Sequence, residues 1–335
     1  MHIPENYLSP STCGVLAVAM VPVWAHAIKK VKKDVPKEKM PLLGVSAAFS
    51  FLAMMFNIPL PGGTTGHAVG GTLIAILLGP DAACLAVSIT LLIQAMLFGD
   101  GGILSFGANC FNMAFVLPYV GYAIYKWLSG LIKSKKGKYI AAGIGSYIGI
   151  NAAALCAAIE FGIQPILFTD AAGQAMYCPY GLNLSIPAMM VGHLTVFGLA
   201  EVVFTVALMV FLAKAAPDLI RDENGPSRKS MKPVIALIAV LVALVPIGLL
   251  AEGTAWGEWG IDEISSITTN GSALGYTPTG MSSGLSFSAL MPDYSIGNLP
   301  DAIGYILSAI VGISICIVIF KLISASMKKK TNFDS

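Results

Sequence analysis

The chain opens Met1-His2-Ile3-Pro4, and its first two residues carry a chelating pattern. A free α-amine, the next amide nitrogen and a second-position imidazole can close two rings on one metal ion. Amine and amide close a five-membered ring. The amide and His2 Nδ1 close a six-membered one. Three nitrogens in a plane leave a position for one further imidazole. An all-nitrogen square plane suits nickel(II) or copper(II), whose d electrons favour tetragonal fields. Pro4 has no N–H to extend the chelate, and it biases Ile3 towards an extended backbone. Met-His alone is a common way for a chain to begin, so the weight falls on what lies opposite it.

The stretch NIPLPGGTTGHAVGGTLIAILLGP at 57–80 places five glycines between 62 and 71 around His67. Irregular backbone at membrane depth persists only where it is buried in protein or lines a cavity. His67 therefore reads as lying on a re-entrant, loop-like segment and as the fourth nitrogen, with a capping or packing histidine as the alternative. A second stretch, FGDGGILSFGANCFNMAF at 98–115, offers Asp100, Asn109 and Asn112 as groups that orient the imidazoles. Metal-bound histidines need such partners on their second nitrogen. A turn at Asp100 and helix capping by the two asparagines is the plainer alternative.

These residues must be positioned by elements that sit in a bilayer. Of 335 residues, 56% are apolar and 11% charged, against about 25% charged in soluble domains. The apolar blocks predict an all-α polytopic membrane protein with spanning helices near 11–30, 40–58, 69–79, 83–98, 109–130, 139–162, 187–213, 232–251 and 302–325. All twenty lysines and arginines fall in four clusters, at 29–39, 126–138, 214–232 and 321–330. With nine helices those clusters share one side, which the positive-inside rule makes cytoplasmic. The N-terminus and the loops near 59–68, 99–108, 163–186 and 252–301 then face outward. Residues 1–10 carry only Glu5 and the lysines follow the apolar run, the reverse of a cleaved signal peptide, so Met1 is expected to survive. The six cysteines show no paired spacing and read as small packing residues.

Gly14, Ala17, Val21 and Ala25 make one smooth face of the first helix. Packing within the chain is its first expectation and docking of a partner subunit the second. His26 reads as an interfacial residue at the cytoplasmic end. His193 and Glu201, eight residues apart, are out of register, and Glu201 reads as structural; Glu160 reads as interfacial.

MHIP at the start, PGGTTGHAVGG after the second helix, and DGGILSFGAN followed by NMA before the fifth resemble the CbiM/NikM family. Its members are the substrate-binding membrane components of energy-coupling-factor transporters for cobalt and nickel. The resemblance covers residues 1–215 and implies a seven-helix bundle. It carries the metal ligands onto the Met1 amine, the His2 backbone nitrogen and imidazole, and His67, in agreement with the chelate above. Residues 216–231 read as a cytoplasmic linker. Residues 232–335 hold two further helices joined by the acidic loop 252–301, and resemble the small auxiliary N component of the same transporters.

The implied function is capture of nickel(II) or cobalt(II) as cargo, with nickel slightly favoured and no prosthetic group. The implied setting is a prokaryotic inner membrane, with a transmembrane coupling subunit and separate ATPase subunits as partners and no nucleic acid. The sequence has no G-x-x-x-x-G-K-[ST] phosphate loop and no HExxH, so neither ATP hydrolysis nor an intramembrane metallohydrolase is expected of this chain. An ATP-independent channel or ion-coupled carrier is the other alternative. In a chain freed of native cysteines, Ser272→Cys should react with an impermeant thiol reagent in intact cells and Ser335→Cys should not. Labelling at 335 would overturn the nine-helix orientation.

Overall fold

The computed structural model of the chain describes residues 1–60, 64–217, 228–251, 253–269 and 272–326. Most of the expected linker at 216–231 and the Ser335 end lie outside the described residues.

Where the apolar blocks lie, the backbone is helical, because away from water a helix pairs every N–H and C=O within its own segment. The helices are α1 (Pro10–Asp34), α2 (Met40–Met55), α3 (Gly71–Leu78), α4 (Pro80–Phe98), α5 (106–131), α6 (Lys135–Gly162), α7 (Leu182–Ala215), α8 (Arg228–Leu244) and α9 (Asp301–Ser326). Each of the nine expected segments contains a helix, the second giving way to β-strand at Ile58, and among the described residues six helices are long and apolar enough to cross a membrane. The chain is an all-α polytopic membrane protein. Three helices contain π-helical stretches, Gln94–Phe98 in α4, Cys110–Val116 in α5 and His193–Phe197 in α7. Single π turns of this kind concentrate at functional positions.

The third segment departs from a simple span. Eight residues of α3 rise only about 12 Å, well short of the ~30 Å of hydrocarbon. The rest is supplied by β1 (Ile58–Leu60) and β2 (Thr64–Gly66), an antiparallel pair with Ile58 opposite Gly66. His67 sits at the joint between extended chain and helix. Beyond α3, Gly79 and Pro80 turn the chain into α4, where Asp81 Oδ1 lies 3.6 Å from His26 Nε2 and accepts from the Tyr119 hydroxyl at 2.6 Å.

Bundle packing separates interior from periphery. In α4, 67% of the apolar core is buried, against 17% in α1, so α4 is the central pillar. The small-residue face of α1 is packed within the chain at Ala17, where a Cβ on Gly107 of α5 would stand 2.5 Å from Ala17 Cα, and is open at Gly14, Val21 and Ala25. The first expectation for that face therefore holds at Ala17, and the rest is open surface. In contrast, α9 lies tight against α2, since a Cβ at Gly44 would stand 3.2 Å from the Ile317 backbone and one at Gly312 would enter the Phe51 ring.

Residues 1–9 fold into one end of the bundle and are almost entirely buried. At that end the N-terminus, the hairpin and the loops after α4, α6 and α8 all meet. Cys178 N donates to Tyr7 O at 2.9 Å, Trp256 N to Thr64 Oγ1 at 2.8 Å and Leu285 N to Asn6 Oδ1 at 2.9 Å. The stretch 100–109 is the platform on which the N-terminus rests. Ile3 N donates to Asn109 Oδ1 at 2.8 Å, Asn109 Nδ2 donates back to Ile3 O at 3.0 Å, and Gly102 N donates to the same carbonyl at 2.9 Å. Glu5 accepts from Ile103 N at 2.7 Å. A Cβ at Gly102 would stand 2.7 Å from Glu5 Cα, so only glycine permits the contact. The Asn109 amide thus pairs with Ile3 as a neighbouring strand would, and its loss leaves a buried N–H unpaired at about 1–3 kcal/mol. Asn109→Ala should speed hydrogen exchange of the Ile3 amide at least about tenfold, read by exchange mass spectrometry. Unchanged protection would mean that the segment is held elsewhere.

Candidate metal site

His2 and His67 come together at the mouth of the bundle. His2 is 2% exposed and His67 7%, and His2 Nδ1 lies 3.2 Å from His67 Nε2. The hydrogen-bond partners decide which nitrogens face the gap. His67 Nδ1 lies 3.2 Å from Ala68 O. A carbonyl only accepts, so Nδ1 carries the proton and Nε2 presents its lone pair. For His2, Nε2 lies 3.4 Å from Gln94 Oε1, and Nδ1 lies 3.2 Å from Asp100 Oδ1. Two bare lone pairs repel at 3.2 Å, so the gap between the imidazoles takes a proton or a metal ion. With metal–nitrogen bonds of about 2 Å, adjacent donors in a square plane stand about 2.8 Å apart and opposite donors about 4 Å. The observed separation corresponds to adjacent positions.

The remaining nitrogens are backbone. Among the described residues no cluster of three or more His, Cys, Asp or Glu side chains has metal-holding geometry. The Met1 amine donates to Glu258 Oε1 at 2.8 Å. The Ile3 amide is taken by Asn109, whereas the His2 amide has no acceptor among the described residues. A cavity of about 360 Å³ lies over these groups, lined by His2, His67 and Asp100 from one side and by Glu258, Asp293 and Tyr294 from the other.

His67 is held in place from behind. Glu201, fully buried on α7, accepts from Val69 N at 2.7 Å and from Gly70 N at 3.0 Å. The carboxylate thus sits at the positive N-terminus of α3. Gly70 has φ +75, a conformation open to glycine. Gly66 meets the Phe197 ring so closely that a Cβ would stand 2.7 Å from it.

Asp100 Oδ1 lies 3.2 Å from His2 Nδ1, whereas Asn109 bonds the Ile3 backbone rather than an imidazole. Asn112 does not join them; its amide donates to Glu160 Oε2 at 2.8 Å. His26 lies at the opposite end, and His193 donates its Nδ1–H to Met189 O at 2.8 Å while packing edge-on against Phe197. Sequence reasoning gave no site role to Gln94, Glu258 or Tyr294. Gln94 Nε2 donates to the Tyr294 hydroxyl at 3.0 Å and to Asp100 Oδ2 at 3.2 Å, and Tyr294 donates to Asp100 Oδ2. Burial, and then the Asp100 charge, hold the Tyr294 phenol well above its ordinary range, so it stays a donor. A glutamine at the start of a π turn was the one local signal for this group.

An all-helical membrane bundle with nitrogen donors converging at one end has the anatomy of a transition-metal transport component. The chain belongs to the CbiM family, described as cobalt uptake substrate-specific transmembrane region, which it matches over residues 2–219; residues 231–329 match the PDGLE domain. It is 51% identical over 323 residues to a probable fused nickel transport protein LarMN of Lactiplantibacillus plantarum, covering 96% of this chain and 97% of that one. It is 44% identical over 330 residues to a fused nickel transport protein NikMN of Rhodobacter capsulatus, covering 95% of each. A crystal structure of a truncated transition metal transporter superposes with a TM-score of 0.61 at 55% identity, covering 64% of this chain and 99% of that one.

Glu201→Gln replaces a double acceptor by an amide whose NH₂ faces a backbone N–H. Metal affinity by calorimetry should fall about tenfold, the loss usual for a removed supporting partner, and Gly70 exchange should quicken. Retention of both would show that the His67 segment does not depend on Glu201.

Proposed function

We propose that the chain captures nickel(II) or cobalt(II) at the outward end of the bundle, as the substrate-binding subunit of an ATP-driven energy-coupling-factor importer. The ligands are the Met1 amine, the His2 amide and Nδ1, and His67 Nε2. The observation that carries this reading is the 3.2 Å approach of the two imidazoles beside an unclaimed His2 amide. On binding, the amine exchanges Glu258 for the metal. Nickel is favoured by a deprotonated amide in a square plane and by the nickel transport relatives.

Residues 1–215 form the metal-binding part, 216–231 a cytoplasmic linker and 232–335 an N-component-like part. ATP hydrolysis belongs to separate subunits, coupled through a transmembrane partner for which the open face of α1 is the natural dock. Glu201 and His193 are both committed to backbone groups, which speaks against an ion-coupled carrier built on them.

His67→Ala should lower nickel affinity by at least about a hundredfold, the upper range for disrupting a metal site, while His193→Ala and His26→Ala leave it within a few-fold. Acetylating the Met1 amine should abolish tight binding without unfolding the protein. Affinity of the native chain should rise with pH, because ligation displaces protons from amine and amide, and the released protons should appear as a buffer-dependent binding enthalpy. Equal losses in the three histidine variants, or tight binding by the acetylated chain, would overturn the ligand set. Reconstituted alone, the chain should bind nickel yet give no ATP-dependent flux until the partner subunits are added.

A further inference from the structure

We infer that Tyr294, in the C-terminal region, is a positioning residue for the metal site: through Gln94 it fixes which nitrogen of His2 faces the metal. The role rests on the ligand set proposed above.

A glutamine amide has one end that accepts and one that donates, and the two ends look alike in shape. What orients Gln94 is its company. The Tyr294 hydroxyl gives its proton to Asp100 Oδ2, which leaves the phenol oxygen as an acceptor for Gln94 Nε2 at 3.0 Å. Asp100 Oδ2, also an acceptor, lies 3.2 Å from the same Nε2. With both neighbours accepting, the NH₂ end must point to them and Oε1 to His2 Nε2. An accepting oxygen there requires a proton on Nε2. With Nε2 keeping its proton, a metal ion takes the lone pair of Nδ1, the nitrogen that closes the six-membered ring and faces both His67 Nε2 and Asp100 Oδ1 at 3.2 Å. Deletion of the phenol oxygen leaves Asp100 Oδ2 alone to hold the NH₂ end, and the amide is oriented less firmly.

The tyrosine is held in place at a conformational cost. Asp293 and Tyr294 have φ of 52 and 59, left-handed values that a bulky residue adopts only where its surroundings impose them. Met291 N donates to Leu97 O at 2.8 Å and Ser308 Oγ to Tyr294 O at 2.8 Å, pinning the turn to α4 on one side and α9 on the other. The ring stacks on Phe98 at 4.7 Å with 19° between planes. A backbone this restrained delivers one hydroxyl to one place.

The test uses the full chain in detergent, titrated with nickel(II) chloride and followed by calorimetry and by visible absorption of the square-planar ion. Tyr294→Phe should weaken binding about tenfold and diminish the square-planar band. Tyr305→Phe is the control: it keeps the ring that packs on Tyr294 and deletes a hydroxyl bonded to Met55 O rather than to Gln94 or Asp100, and should leave both unchanged. In a Gln94→Leu background, Tyr294→Phe should cause a much smaller further loss, because only its bond to Asp100, which meets His2 Nδ1, remains. A loss in that background as large as in the native chain, or native affinity and spectrum in Tyr294→Phe, overturns the inference. Native chain alone gives a second reading: ¹⁵N-histidine resonances of the diamagnetic nickel complex should show His2 protonated at Nε2, and a bare Nε2 overturns the inference whatever the variants do. His67→Ala, titrated alongside, separates the two levels. If it binds as the native chain does, the ligand set has failed; if it loses binding while Tyr294→Phe does not, only the positioning role has.

Discussion

A free amine and two imidazoles buried at the mouth of an apolar bundle is the constraint on which the rest of the structure turns. A charge or polar group withdrawn from water is tolerated only where it is paired. The Met1 amine is met by Glu258, His2 by Asp100 and Gln94, and His67 by the Ala68 carbonyl. The backbone of the N-terminal segment is treated the same way, with Ile3 paired on both its N–H and its C=O. Residues 1–9 are thus less a tail than an inserted element, and the glycines at 101 and 102 exist because that element passes against them. Remove the insertion and the platform after α4 would expose its own N–H groups to an apolar interior.

The second histidine reaches its place by a different device. A continuous helix through 57–80 would put His67 on a helical surface facing either lipid or a neighbour. Breaking the span into a hairpin and an eight-residue helix stops the extended chain inside the bundle, with His67 at its tip. Such a break frees backbone N–H groups at depth, and Glu201 takes two of them. The intramembrane carboxylate is therefore best understood as the partner that makes the broken helix affordable.

Much of this was legible in the sequence, and the parts that were not share a cause. Composition and block length revealed the helices, since apolar runs in a bilayer have few other forms. Met1-His2 and the glycines around His67 were legible because chelation and irregular backbone are local properties. Gln94, Tyr294 and Glu258 were hidden because their partners lie 200 and 257 residues away, and no spacing rule reaches that far. Asn112 was placed beside Asn109 on the assumption of an ordinary helix. The π turn at Cys110–Val116 widens the bonding to i→i+5, so residues three apart cease to share a face, and Asn112 turns to Glu160. The face of α1 was ambiguous for another reason: small residues signal close approach without saying whether the approaching helix belongs to the same chain.

The C-terminal region enters the site at two separate points, and this bears on why the two parts share a chain. Glu258 holds the amine and Tyr294 holds the Asp100–Gln94 pair, so both the Met1 amine and the partners of the His2 imidazole are met from outside the CbiM-matched residues 2–219. The two contacts are fastened to different anchors. The turn at 291–294 is tied to α4 and α9, while the segment at 256–259 packs its Trp256 and Trp259 rings around Tyr180 at 5.5 Å each. Tyr294 is thus fixed to α4 and α9 at once, whereas Glu258 depends on neither anchor. In the ligand set proposed above, the C-terminal region would therefore bear on the amine and on the His2 imidazole through two independent attachments.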